Sequence, residues 1–206
     1  MLGSMCMCSS ASSHVSIPIA PAGYRPGYVV YHPVAGINVV AALVFMIVLP
    51  LLGILTLWLH GALALPVQVP LDAGTILGTC GAVVPTVLAH ELIHGLVLRH
   101  YGYRVSYGLE WRVMAVYAGA FGQFQARNHA LIVALAPLVI ISILMAPLLA
   151  VPNHYIVSVA FSVLLTNTPG AVGDVYLVAR LLHLPRRSLL YDLDPVRMLV
   201  FVPACR

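Results

Sequence analysis

The chain has 206 residues, of which 61% are hydrophobic and only 8% are charged. A soluble domain of this size needs more charged side chains on its surface, so the composition excludes a soluble globular protein. It predicts an integral membrane protein with one membrane domain. The ten basic residues, all Arg, are scattered between apolar segments, which excludes a continuous nucleic-acid-binding surface.

The N-terminal segment, residues 1–36, is rich in Ser, Pro and Gly and has no basic start followed by an apolar run. This pattern does not indicate a cleavable signal peptide, and we expect the segment to be flexible or to lie at the membrane interface. Cys6, Cys8, Cys80 and Cys205 lack the spacing of a zinc site, so we interpret them as free thiols.

Four apolar segments are long enough to cross a bilayer, which takes about 20 apolar residues. They are residues 37–59, 73–98, 130–151 and 155–182, and they define a membrane domain over 37–185 that is followed by a tail, 186–206. The fourth segment is interrupted by the helix-breaking run Asn167-Thr168-Pro169-Gly170. Irregular backbone at membrane depth is tolerated only inside protein or along a cavity, so we expect a functional cavity there.

An insert between the second and third spans, residues 101–127, has a different pattern. From Tyr103 to Val113, apolar residues alternate with Arg, Ser, Gly and Glu, which is typical of a strand with one polar face. The predicted fold is therefore mainly α and integral to the membrane, with about four transmembrane helices, the fourth broken near 167–170. A small β hairpin or sheet on the cytoplasmic side completes it.

The positions of the Arg residues predict the orientation. The loops near 60–72 and 152–154 contain none, whereas the insert, the tail and the segment before the first span all contain Arg. Because cytoplasmic loops carry the excess of basic residues, we expect a multi-pass cell-membrane protein with both termini and the insert in the cytoplasm.

The second span contains the sequence His90-Glu91-Leu92-Ile93-His94. This HExxH spacing puts two imidazoles one helical turn apart, where both reach one zinc ion, and the Glu between them can take a proton from zinc-bound water. A Glu inside an apolar helix is costly unless a function requires it. We therefore predict His90 and His94 as metal ligands and Glu91 as the catalytic base.

Asp174 is the predicted third ligand, because it is the only other carboxylate within the spans. Counted at 1.5 Å per residue, His94 and His90 lie about 8 and 13 Å from Arg99, and Asp174 lies about 9 Å from Arg180, so both halves of the site fall at one depth. The alternative is that Asp174 pairs with an Arg or caps a broken helix.

Two further polar residues leave alternatives open. His100 completes the spacing of a HExxHxxGxxH motif, but Val97 stands where that motif has its turning Gly, so on an unbroken helix His100 points away from His90. Asn167 could hydrogen-bond a substrate carbonyl or an oxyanion, or it could cap the helix that starts near Gly170.

The run HELIHG in a span, a later span with Asn-x-Pro before an Asp, and the strand-rich stretch between them resemble the membrane zincins related to site-2 proteases. The similarity covers roughly residues 75–195 and is greatest to a bacterial and archaeal group of zincin peptidases of unknown function. Asp174 is followed by Val175 where site-2 proteases generally have Gly. The resemblance implies metal-dependent peptide hydrolysis within or beside the bilayer.

The combined interpretation is a membrane-embedded zinc metallopeptidase in which His90, His94 and Asp174 hold Zn²⁺ and Glu91 activates water. Its expected partners are a membrane protein or peptide substrate and the lipid bilayer, without nucleic acid; the sequence does not indicate an oligomeric state. The alternative is a non-enzymatic membrane protein that binds or transports metal with the same ligands. A carrier has no need of Glu91, so that residue separates the two classes.

Overall fold

The computed structural model describes residues 18–31, 33–66, 72–110 and 115–204. Five α-helices lie in these ranges: α1 Val34–Ala62, α2 Ala73–His100, α3 Arg127–Met145, α4 His154–Gly170 and α5 Val172–Leu182. A short 3₁₀ helix, Ala146–Ala150, continues α3.

Within the described ranges, α1, α2 and the extended α3 are each long and apolar enough to cross a membrane, and α4 with α5 makes a fourth crossing if the pair is one span. Large apolar side chains on α1, such as Val39, Met46 and Ile54, are mostly exposed, as suits a helix surrounded by lipid. The predicted set of about four spans is confirmed.

The break in the last span is a bend between two helices. α4 continues through Pro169 and Gly170, and the chain bends by 42° at Ala171 before α5 begins. Pro169 is tolerated in the last turn of α4, which closes with a hydrogen bond from the backbone N–H of Ala171 to the carbonyl of Asn167, 3.0 Å. The interruption predicted at 167–170 therefore lies one residue further along.

Two antiparallel sheets complete the fold. One has the strand order β1-β6-β5-β4, formed by Tyr24–Tyr31, Arg197–Pro203, Leu189–Asp194 and Phe124–Ala126. The other is the hairpin of β2, Ser106–Glu110, and β3, Ala115–Gly119. The predicted hairpin or small sheet is thus present; residues 111–114 of the expected alternating run lie outside the described part of the chain.

The larger sheet joins the two ends of the chain. β1 pairs with β6 in a register that places Tyr24 opposite Pro203 and Tyr31 opposite Arg197. Within the N-terminal segment that was expected to be flexible or interfacial, residues 24–31 therefore form an ordered strand, while residues 1–17 lie outside the described part. β1 is ordered because it covers β6, whose residues Met198–Phe201 are buried.

A buried apolar cluster connects this sheet to the helices. Val30, Leu190 and Val200 of the sheet pack with Ala130 of α3 and Leu181 of α5. The contact fixes the end of α5 against the sheet, and α5 is the helix that carries Asp174 in its first turn.

Candidate metal centre

α2 places the three residues of the HExxH motif on one side of an unbroken helix. His90 and His94 are each only 7% exposed, and their ring centroids are 4.8 Å apart. The potential ligand atoms of His90, Glu91 and His94 all lie within 4.8 Å of one another. This buried cluster is the arrangement that the four-residue spacing predicts.

Asp174 of α5 meets both histidines. Its Oδ2 is 3.0 Å from Nε2 of His90, and its Oδ1 is 3.4 Å from Nε2 of His94. The 84 positions between His90 and Asp174 are therefore bridged by the packing of α2 near the α4–α5 bend. All four residues predicted for the site come together in one place.

The other nitrogen of each imidazole is held by an acceptor. Nδ1 of His90 lies 2.9 Å from Oδ1 of Asn167, and Nδ1 of His94 lies 2.9 Å from the carbonyl oxygen of Val133 on α3. Acceptors at Nδ1 fix the orientation of both rings, so that both Nε2 atoms face the carboxylate of Asp174, as in metal sites whose histidines are held by a hydrogen bond at the nitrogen that does not bind the metal.

Asn167 thus has a contact that the sequence did not predict. It is 1% exposed, its Oδ1 faces His90, and α5 has no side-chain cap. Its Nδ2 is buried without a partner among the described residues. The spacing of Asn167 from Asp174 marked it as a site residue, but only the packing of α4 on α2 identifies His90 as its neighbour.

Arg127 supports Asp174 from the far end of α5. Its buried guanidinium donates from Nε to the carbonyl of Leu181 at 2.7 Å and from Nη2 to the carbonyl of Leu182 at 3.2 Å. A cation at these terminal carbonyls also complements the negative end of the helix dipole. Arg127 therefore helps to fix the helix that presents Asp174.

Glu91 faces the β2–β3 hairpin. Its carboxylate lies next to the backbone N–H of Ala118 on β3. Next to the site, Gly95 touches the phenol of Tyr107 on β2, and a Cβ at position 95 would overlap that ring. The Gly after the second His therefore allows the hairpin to pack directly against α2, a contact that sequence reasoning missed.

The site opens into a cavity of about 220 Å³. Glu91, His94 and Asp174 lie at one side, and residues 116–119 of β3 line another. The four-stranded sheet and its β5–β6 turn supply a third wall, with Asp192, Asp194 and Arg197 among its residues, and apolar residues of the helices complete the lining. A substrate that reaches the metal centre would therefore contact both sheets.

Sequence reasoning did not identify Asp192 or Gln125 in this wall. Nε2 of Gln125, which is 4% exposed, donates to Oδ2 of Asp192 at 2.6 Å. Burial raises the pKa of the Asp192 carboxyl to about 6, although the hydrogen bond from Gln125 opposes the shift. The available signal was the pair of acidic residues, Asp192 and Asp194, in a strand that is otherwise made of Leu and Tyr.

His100 lies outside the cluster. It is the last residue of α2, it is exposed, and its ring contacts Tyr101 edge to face. The helix continues without a turn between His94 and His100, so the third histidine does not come back toward the first two, as the missing turning Gly predicts.

The donor set fits a zinc ion. Two imidazole nitrogens and a carboxylate are the ligands that catalytic zinc commonly has, with a further position left for water. In this structure the three groups already converge, and both rings are oriented by acceptors at their far nitrogens. Glu91 stands beside them on the cavity side without being needed as a ligand.

The comparisons agree with this chemistry. Residues 83–189, just over half of the chain, match the family described as "Putative zincin peptidase". No curated protein and no solved structure matches the chain. The matched region contains the HExxH helix, the hairpin, α3, the α4–α5 bend and Asp174. The chain belongs to this zincin peptidase family.

Proposed function

We propose that the protein is a zinc metallopeptidase that hydrolyses peptide bonds within or next to the membrane. The observation that supports this most is the convergence of Nε2 of His90 and Nε2 of His94 on the carboxylate of Asp174, beside Glu91. The set is buried, and each imidazole is held by a hydrogen bond at Nδ1. Such an arrangement suits a metal ion better than it suits a structural ion pair.

His90, His94 and Asp174 would hold the zinc. The family to which the chain belongs also implies this metal. Zinc, when bound, acts as a Lewis acid that makes a water molecule easier to deprotonate and polarises the substrate carbonyl. Asn167 and the carbonyl of Val133 then serve to keep the two imidazoles aimed at the ion.

Glu91 moves the proton. It accepts a proton from the attacking water, whose oxygen bonds to the peptide carbonyl carbon. When the C–N bond breaks, Glu91 returns this proton to the leaving nitrogen; the second proton of the water then passes from the new carboxyl group to the amine, so that one water is consumed and a carboxylate and a protonated amine are released. The position of Glu91 in the wall of the cavity suits this transfer.

The substrate is proposed to bind as an added strand on β3. In an antiparallel pair, the N–H and C=O of one residue point together toward or away from the partner strand. The N–H of Ala118 points to Glu91 and therefore away from β2, so the backbone groups that remain for a peptide on this edge are the carbonyl of Ala118 and the N–H and carbonyl of Val116. An extended peptide paired there would lie across the metal centre.

The proposed placement is a multi-pass cell-membrane protein with the hairpin, the larger sheet and the opening of the site on the cytoplasmic side. Its support is the distribution of Arg residues together with three to four apolar helices of spanning length. Substrates would then approach from the cytoplasmic face or from the inner half of the bilayer.

The variant Glu91→Gln tests the mechanism, because it keeps the shape of the side chain and removes the base. We expect zinc content near that of the wild type and a loss of cleavage of at least about 100-fold on a membrane-embedded reporter peptide. Glu110→Gln is the matched control, since Glu110 is the only other Glu in the chain and lies on β2.

Cleavage by Glu91→Gln at the wild-type rate would refute the hydrolytic mechanism. If the wild type and both variants bind zinc and none cleaves a broad panel of membrane and soluble reporters, the metal-carrier function is favoured instead. Zinc is quantified in the same purified samples, so that a loss of activity is separated from a loss of metal.

A further inference from the structure

Acidic residues are concentrated in the cavity. The whole chain has six Asp and Glu residues against ten Arg. Four of those six line this one cavity: Glu91, Asp174, Asp192 and Asp194. A protein with a net charge of +4 therefore surrounds its proposed substrate space with carboxylates, which would attract a cationic group and repel an anionic one.

Three of the four carboxylates have a partner. Asp174 contacts His90 and His94, and Glu91 lies beside the same two histidines. Asp194 pairs with the guanidinium of Arg197, Nε to Oδ2 at 2.5 Å, and accepts hydrogen bonds from backbone N–H groups as well. The charge of Asp194 is thus balanced by Arg197, whereas Asp174 and Glu91 lie where a bound metal ion would supply positive charge.

Asp192 differs from the others. Among the described residues no cation pairs with it, and its hydrogen-bond donor is the neutral amide of Gln125, which engages Oδ2. Oδ1 is left without a comparable side-chain donor in the same part of the structure. Its high pKa of about 6 still leaves the carboxyl mostly ionised at neutral pH. An ionised carboxylate that is packed in protein and faces a cavity gains much from a cation supplied by a ligand.

Resting on the proposed function, we propose that Asp192, held by Gln125, is a specificity subsite for a cationic group of the peptide substrate. Asp192 lies on β5, in the wall that the larger sheet contributes to the cavity, whereas β3 lines the cavity from the hairpin. A peptide paired with β3 would direct alternate side chains to opposite faces of the hairpin, and those on the cavity side would share the cavity with Asp192.

The cation has two possible sources, a Lys or Arg side chain or a free amino terminus. Both would pair with the Asp192 carboxylate in the same way, but they imply different cleavage patterns. A basic side chain selects an internal sequence, whereas a terminal amine makes the enzyme act near the end of a chain. Peptides with a basic side chain and peptides with a free amino terminus therefore separate the two sources.

Binding is measured on the zinc-loaded, full-length Glu91→Gln protein, so that no peptide is consumed. The first set of probes consists of fluorescent ten-residue Ala/Val peptides that have an acetylated amino terminus and one Arg, placed at each position in turn. In the second set, neutral citrulline replaces the Arg. A third set carries citrulline and a free amino terminus. Fluorescence anisotropy gives the Kd of each peptide.

We expect a cationic peptide to bind at least about tenfold more tightly than its neutral counterpart. Adding Asp192→Asn should abolish this preference and change the Kd of the neutral peptide less than about twofold. Asp72→Asn, which makes the same substitution at the N-cap of α2, should preserve the preference. A preference of the Arg set identifies a side-chain subsite, and a preference of the free-amine set identifies a terminal-amine subsite.

The proposal is overturned if no peptide set shows a preference for the cation, if the preference survives Asp192→Asn, or if no peptide binds. These outcomes are independent of the hydrolysis test. Binding of cationic peptides that depends on Asp192, in a protein that cleaves nothing, would leave the subsite intact and refute the peptidase function. Cleavage without a cation preference would refute the subsite alone.

Discussion

At the residue scale, the ionised carboxylate of Asp192 is expected to lower the free energy of unfolding. Burial raises its pKa from the ordinary value of 3.8 to about 6, so the folded protein disfavours the ionised form. This difference corresponds to about 3 kcal/mol. The carboxyl has little effect on stability well below pH 3.8, where it is protonated in both states; it destabilises the fold increasingly between pH 3.8 and about 6, and the full effect is present above that range.

Asp192→Asn should therefore raise the melting temperature of the metal-free protein in detergent at pH 7.5 and leave it nearly unchanged at pH 4. Asp194→Asn is the control with the opposite sign. Burial raises the pKa of Asp194, but hydrogen bonds from Val196 and Arg197 together lower it below its ordinary value. This variant should be less stable than the wild type at pH 7.5. A stabilisation by Asp192→Asn that is equal at both pH values would contradict the account.

The central site residues were predictable because each conflicts with its surroundings in the sequence. His90, Glu91 and Asp174 are polar or charged within apolar spans, and such residues are rarely placed there without a function. Asn167 was marked for the same reason, but its contact with His90 joins helices 77 positions apart and could not be read locally. Asp192 lies outside the spans, and only its contact with Gln125 in the cavity wall distinguishes it from an ordinary surface carboxylate.

At the scale of elements, the position of the hairpin depends on Gly95. A Cβ at this position would overlap the Tyr107 ring, so β2 and β3 would have to move away from α2. Gly95→Ala should lower the melting temperature by an amount that corresponds to about 1–3 kcal/mol, as overpacking usually does. Proteolysis within 106–119 should become faster.

Gly81→Ala is the matched control, since it lies on the same helix and a Cβ there would meet no atom within 4 Å. The control should be neutral or slightly stabilising, because Ala favours helix over Gly. Replacing Tyr107 by Ala in the Gly95→Ala background should recover part of the loss. Equal behaviour of the two Gly variants would show that the hairpin does not depend on this contact.

The helices could be placed from apolar length alone, and the ends of the spans agree with the structure to within a few residues. The larger sheet could not be found in this way. β1 and β6 come from opposite ends of the chain, and their pairing from Tyr24–Pro203 to Tyr31–Arg197 is a long-range contact. Alternation along one strand does not specify its partner, and the insert was recognised only because both of its strands are local.

At the scale of the whole molecule, the orientation in the membrane remains a prediction. In a background with all four Cys replaced by Ser, single cysteines at Ser106 and Gly61 place one label in the hairpin and one at the end of α1, both at exposed positions. An impermeant maleimide applied to intact cells should label position 61 and not position 106. Labelling of both positions from outside would contradict the cytoplasmic placement of the site.

The central claim is that His90, His94 and Asp174 form a zinc site, and the metal content of the purified full-length protein tests it most directly. We expect about one zinc per chain for the wild type and for His100→Ala, whose imidazole is exposed at the end of α2. His90→Ala and His94→Ala should contain almost none. Zinc retained at the wild-type level in both of these variants would contradict the account.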